Sequence, residues 1–166
     1  DVSFQVQDMR DLEFPPETFT TVISGCDVLN YLTTPEDLQA TFLRVHRVLQ
    51  PGGLWLFDLN SAHKLQNIYG DESYADLQED YGYFWDNSYD WNQDLCQMEL
   101  TFFVKTSSGL YERKQEIHQQ KLWWPREIDK MAQRTGFTRL ACYNFLSTVP
   151  WNEEAERWQF VLRKSS

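Results

Sequence analysis

The sequence predicts an α/β fold on a parallel sheet, with an antiparallel insertion in its second half. Three observations carry this. The first sixty residues alternate strand, loop, strand, helix, strand. The run Leu54-Trp55-Leu56-Phe57 is apolar on both faces, as a strand covered by two layers should be. From about Gly82 to Trp124 the pattern changes to period-two segments separated by tight turns.

The elements follow in order. Val2, Phe4 and Val6 alternate with Ser3, Gln5 and Gln7, which predicts a half-buried strand ending at Asp8-Met9-Arg10. "LEFPPETFTT" reads as a loop. Val22 and Ile23 head a second strand, over about residues 20–25, that runs into "CDVLNYL". Thr34-Pro35-Glu36-Asp37 is a helix start, with Thr34 as N-cap, Pro35 first and acids in the first turn. Leu38, Phe42, Val45 and Leu49 recur at helical spacing. Gly52 supplies the left-handed residue expected to close that helix before the strand at 54–57. "YFWDNSY", the alternating Cys96, Met98, Leu100, Phe102 and Val104, and "LYERKQEIHQQKLWW" are the three strands of a meander. The last is mostly polar, so its outer face is expected to be wet. Pro125-Arg126-Glu127 opens a second helix with Ile128, Met131 and Ala132 inward and Gly136 at its end. "FTRLACYNF" and "ERWQFVLRK" close the chain as strands.

Composition narrows the function. The 166 residues are within the range of one domain. A formal net charge of −10 repels a phosphate backbone, so nucleic acid is not an expected partner. The longest apolar runs have only a few residues, so no membrane span is expected. The first ten residues carry no basic and apolar leader pattern. Three scattered cysteines, with no Cys-x-x-Cys, point to reduced thiols, a cytoplasmic location and no metal site.

Three polar loops follow three predicted strands, and a parallel sheet brings such loops together at its carboxyl rim. Asp8 and the next backbone N–H have the donor and acceptor pattern that reads an adenine edge, although a loop Asp that caps a turn explains the same residue. Asp27, Asn30 and Tyr31 follow the second strand and offer a wall for a polar ligand; holding a turn is the plainer role. Asp58, Asn60 and His63 follow the third. His46 and His118 read as surface residues. Tyr81, Tyr83, Phe84, Trp85, Tyr89 and Trp91 either line a substrate pocket or pack the added sheet. No Gly-x-Gly-x-x-Gly, Walker loop, Gly-x-Ser-x-Gly or His-Glu-x-x-His is present.

"VSFQVQDMRDLEF" and "FTTVISGCDVLNYLTTPEDLQATFLRVHRVLQPGGLWLFDLNS" resemble the class I S-adenosylmethionine-dependent methyltransferases, and are most similar to a bacterial small-molecule branch. The resemblance is clear from Val2 to about Lys64 and looser beyond. It implies a Rossmann-like sheet of order 3-2-1-4-5-7-6, of which this chain would hold strands 3, 4, 5, 6 and 7, with the antiparallel meander inserted. The methyltransferase domain would comprise residues 1–80 and 123–166, and residues 81–122 would form a lid or substrate cover.

The implied cofactor is S-adenosyl-L-methionine. Asp8, Met9, Cys26 and Asp27 would bind it. Asn30, Tyr31, Asn60 and Trp85 would line the site of a small-molecule acceptor. Asp27, Tyr31 and His63 are the candidate bases, needed only when the acceptor is an alcohol or similar group. Two departures stand out. Thr20 replaces a frequent Asp. The family's glycine-rich loop lies on strands that would precede Asp1, so the chain reads as the C-terminal two-thirds of such an enzyme, one that would be inactive alone and would self-associate through its exposed edge strand. A non-catalytic binding module on the same fold, or another α/β enzyme such as an oxidoreductase, remain the alternatives.

Overall fold

The computed structural model of the protein describes residues 2–165. Residues 2–7 carry no secondary structure, and Val2, Phe4 and Val6 are 82%, 93% and 105% exposed. The first predicted strand is therefore absent. Alternation makes a strand only where a neighbouring strand takes up its hydrogen bonds, and no strand of the described residues lies beside this segment.

The sheet proper starts with β1 (Phe19–Ser24) and continues, after helix α1 (Pro35–Val48), with β2 (Leu49–Asn60). These two run parallel, as predicted. Thr34 caps α1, its hydroxyl accepting from the Asp37 N–H at 3.1 Å. The buried stripe of α1 is Leu38, Thr41, Phe42 and Val45. Phe42 lies edge-on to Trp55, with ring centroids 4.6 Å apart. Complete burial of one such side chain contributes roughly 1.5–3 kcal/mol.

The Pro-Gly-Gly join differs from its sequence reading. The helix ends at Val48 and β2 begins at Leu49. Phe19 pairs with Leu49, yet Thr21 pairs with Leu54, so residues 50–53 form a bulge. Gly52 has φ +75°, and a Cβ on Gly53 would stand 2.9 Å from the Gln50 carbonyl and 3.0 Å from that of Thr20. The glycines serve a bulge in the strand rather than the helix end.

After a wide helical turn at His63–Tyr69 come β3 (Ser73–Leu77), β4 (Tyr81–Asp90), β5 (Leu95–Lys105) and β6 (Tyr111–Lys121). They form a separate antiparallel sheet in the order β3-β4-β5-β6. Three of the four match the predicted meander. The fourth, β3, was not visible as a strand because its exposed sequence, "SYADL", has no apolar alternation. Helix α2 (Pro125–Arg134), β7 (Phe137–Asn144) and β8 (Arg157–Lys164) complete the chain. The first sheet has the order β1-β2-β8-β7, with β8 antiparallel to both neighbours.

One apolar core joins the two sheets. It includes Trp55, Phe57 and Phe160 from the first, Tyr89, Cys96 and Met98 from the second, and Leu122 and Trp123 from the segment between β6 and α2. The Trp123 indole N–H donates to the Leu32 carbonyl at 2.9 Å, which fixes the end of β6 against the carboxyl rim of β1. The far side of β1 pairs with no other described strand, and Ile23 there is 73% exposed.

Candidate functional site

The rim is built where β1 and β2 end. Past Ser24 the backbone turns sharply, with Cys26 and Asp27 both left-handed (φ 61° and 50°). Two consecutive non-glycine residues in that region are strained, and the surroundings must hold them. Asp58 does so by accepting the Asp27 backbone N–H at 2.9 Å. Arg157, the first residue of β8, bridges the two carboxylates. Its Nη2 donates to Asp27 Oδ1 at 2.7 Å and its Nη1 to Asp58 Oδ2 at 2.9 Å. The guanidinium also lies 4.9 Å from the Phe145 ring centroid. One cation thus faces two anions, and the cluster keeps one net negative charge.

The second sheet closes the same cluster from above. Gln120 donates to Asp27 Oδ2 at 2.6 Å, and the Asn60 amide donates to Asp27 Oδ2 at 3.1 Å and to Gln120 Oε1 at 2.8 Å. Asn60 Oδ1 is buried and has no hydrogen-bond partner among the described residues. Asn30 is fully buried. Its Oδ1 accepts the Asn60 backbone N–H at 2.9 Å and its amide donates to the Lys121 carbonyl at 2.9 Å. Asn30 and Asn60 are both buried and brace the two sheets against each other.

Tyr31 differs from its neighbours, being 45% exposed. Its hydroxyl lies 3.1 Å from His118 Nδ1, and His118 Nε2 lies 3.2 Å from Glu116. His118 lies on the mostly exposed strand β6, in keeping with its reading as a surface residue, and both its ring nitrogens have partners there. Glu116, His118 and Gln120 share one face of β6 by strand alternation, and Gln120 and His118 turn that face toward the rim.

His63 stands apart. It contacts Asn67 at 3.3 Å and lines a cavity of about 230 Å³ with Gln66, Trp124 and Trp158, sharing neither a hydrogen bond nor this cavity with Asp27. Trp85 packs against Tyr69 and Tyr74 at 5.3 and 5.6 Å and donates its indole N–H to Asn87. Burial, and then the charge of Asp27, raise the Tyr69 phenol above its ordinary value. Tyr69, Tyr74 and Trp85 together form one aromatic wall.

Asp8 caps a short 3-10 turn, Met9–Asp11, accepting the Arg10 backbone N–H at 2.8 Å. The Arg10 guanidinium beside it lowers the Asp8 carboxyl to about 2. Met9 lines an apolar groove of about 320 Å³ along β1 with Leu12, Phe14, Phe19 and Val22. Cys26 is exposed; burial raises the Cys96 and Cys142 thiols to about 11 and about 12. No three His, Cys, Asp or Glu side chains gather as a metal site among the described residues. No helix among them is long and apolar enough to cross a membrane.

Arg157, Gln120 and His118 were missed in the sequence. Each lies far along the chain from the loop it meets, 130, 93 and 87 residues away. The only available signal was the position of Arg157 at the mouth of a strand and the period-two row in β6.

Comparison with known proteins fits this architecture. A family profile described as "Methyltransferase domain" matches residues 1–53. A Bacillus subtilis (strain 168) protein named "Putative methyltransferase YqeM" is 34% identical over 99% of this chain, and a similarly named protein of Geobacillus sp. (strain WCH70) is 35% identical over 98%. The chain spans 66% of the length of each. Among solved structures, an S-adenosylmethionine-dependent methyltransferase from Clostridium acetobutylicum ATCC 824 superposes with a TM-score of 0.88 at 25% identity, over 98% of this chain and 64% of that one. The CcbJ methyltransferase from Streptomyces caelestis shares the fold, with a TM-score of 0.80 at 12% identity over 96% of this chain and 66% of its own. The chain belongs to the class I S-adenosylmethionine-dependent methyltransferases.

Proposed function

We propose that the protein transfers a methyl group from S-adenosyl-L-methionine to a small-molecule acceptor, and that the rim at the ends of β1 and β2 borders the site of transfer. The observation that carries the reading is the closed rim, where β6 of the second sheet covers the carboxyl ends of β1 and β2. Sheet order supports it. β1, β2, β8 and β7 stand in the sequence 4-5-7-6 expected of the family's second half. We take residues 73–122, the expected cover of 81–122 extended by β3, as the cover, and the described residues on either side as the body.

The residues present suit one side of the cofactor. The groove beside Met9 is apolar and suits the faces of an adenine ring. Asp8, held ionised by Arg10, suits its exocyclic amine. The left-handed turn at Cys26 and Asp27 borders the position of the methionine part. When bound, the cofactor supplies an electrophilic methyl group, and the protein's contribution is orientation and exclusion of water. Three donors already occupy the oxygens of Asp27, so Asp27 positions the turn rather than accepting a proton. Asn30 and Asn60 fix the distance between rim and cover. Trp85, with Tyr69, forms the aromatic wall, and His63 serves the side cavity. A non-catalytic binding module on the same fold is the second reading, favoured by one observation: the oxygens of Asp27 are already taken by donors within the protein.

Calorimetric titration of the full-length protein with S-adenosylhomocysteine separates the two. The expected result is micromolar binding. Asp8→Asn should weaken it about tenfold, the scale of one hydrogen bond to a charged group. No heat of binding to the full-length protein would remove the methyltransferase reading, and an unchanged dissociation constant for Asp8→Asn would remove Asp8 from the site.

A further inference from the structure

We infer that Tyr31, His118 and Glu116 form a proton path out of the site, and that the acceptor therefore carries a dissociable proton on nitrogen or oxygen. The inference rests on the methyl-transfer reading above.

The geometry is directional. The Glu116 carboxylate only accepts, so its 3.2 Å contact places the ring proton of His118 on Nε2. Nδ1 is then the acceptor for the Tyr31 hydroxyl at 3.1 Å. Tyr31 lies at the rim, just past the strained turn at Cys26 and Asp27. All three groups are partly exposed, Tyr31 at 45% and the His118 and Glu116 side chains at 33% and 60%, so the path ends at its most exposed member. The path thus leads from the rim to water.

The groups facing His118 are few. On its own strand face they are Glu116 and Gln120. Met98 is its partner across β5, and Tyr31 approaches from the 3-10 turn. Glu116 is its one salt-bridge partner among the described residues. The other candidate bases do not compete: Asp27 is occupied by three donors and His63 lies in a separate cavity.

The chemistry balances. The acceptor's lone pair forms the bond to the methyl group, and the electrons of the broken methyl–sulfur bond stay on sulfur. The acceptor's N–H or O–H bond breaks and its proton passes to the Tyr31 oxygen. The phenol proton moves in the same event to His118 Nδ1, and the imidazolium is paired by Glu116. An acceptor without such a proton, a thioether or an aromatic ring nitrogen, would give this path nothing to carry. Tyr31 is the catalytic residue here; His118 and Glu116 are positioning residues that act through it.

The test has two arms on the full-length protein. Nitrogen-15 spectra of the histidine rings should show His118 as the Nε2–H tautomer, with that preference weakened in Glu116→Gln. A His118 ring protonated on Nδ1 would overturn the path without any assay of turnover. In the second arm, glucosamine and catechol are offered as protic acceptors, and pyridine and dimethyl sulfide as aprotic ones. Methylation should be confined to the protic pair. Tyr31→Phe and His118→Gln should slow it about 100-fold, the low end of general-base effects, with S-adenosylhomocysteine affinity unchanged. Wild-type rates in both variants, or methylation of the aprotic pair alone, would overturn the inference and leave the methyltransferase reading standing. Loss of cofactor binding in the unmodified protein would instead sink that reading. If none of the four acceptors reacts, the tautomer decides.

Discussion

Arg157→Met is expected to lower the stability of the protein by about 3 kcal/mol, because it leaves partly buried carboxylates without their cation. The side chains of Asp27 and Asp58 are only 17% and 5% exposed, and among the described residues the guanidinium is the one cation that joins them. Methionine keeps most of the stem volume, so the effect isolates charge and hydrogen bonding from packing. The loss should be felt first at the turn, since Asp58 accepts the Asp27 N–H that holds the left-handed backbone. Urea unfolding of both proteins measures the change. Adding Asp58→Asn to the variant should recover part of the loss, because it removes one of the two unbalanced charges. A change below about 0.5 kcal/mol would place Arg157 with ordinary surface ion pairs.

Asn30→Leu should cost a comparable amount, about 2–4 kcal/mol, since it strands one buried and one partly buried backbone group at roughly 1–3 kcal/mol each. Those groups are the N–H of Asn60 and the carbonyl of Lys121. They belong to different sheets, so the damage should extend beyond the residue replaced. Amide exchange at Asn60 and along the end of β6 should speed up together, as the cover loosens from the rim. Faster exchange at Asn60 alone would mean that Asn30 braces its own sheet only.

The parts of the fold legible in the sequence are those decided locally. The N-cap at Thr34, the apolar stripe of α1 and the alternation of β5 each lie within a dozen residues. The failures have a shared cause, which is dependence on a neighbour. Residues 2–6 have a strand's alternation but no adjacent strand among the described residues. β3 has the reverse situation, an unremarkable sequence recruited by β4. The Pro-Gly-Gly segment was correctly read as a junction and incorrectly attributed to the helix, because the bulge depends on the Thr20 carbonyl across the sheet.

The site follows the same rule. Asp27, Asn30, Tyr31 and Asn60 were visible because they follow strands, and the structure does gather them at one rim. Their orientations were not visible. Asn30 points inward to the second sheet, Asp27 toward Arg157, and Tyr31 outward to His118. Each orientation is set by a partner at least 87 residues away, and no local pattern announces it.

The most direct measurement is a crystal structure of the full-length protein with S-adenosylhomocysteine. The adenine is expected against Asp8 and Met9, the amino-acid portion beside Cys26 and Asp27, and the sulfur facing Tyr31. A ligand seated on the outer face of the second sheet, or one that leaves residues 8–12 and 26–31 untouched, would contradict it.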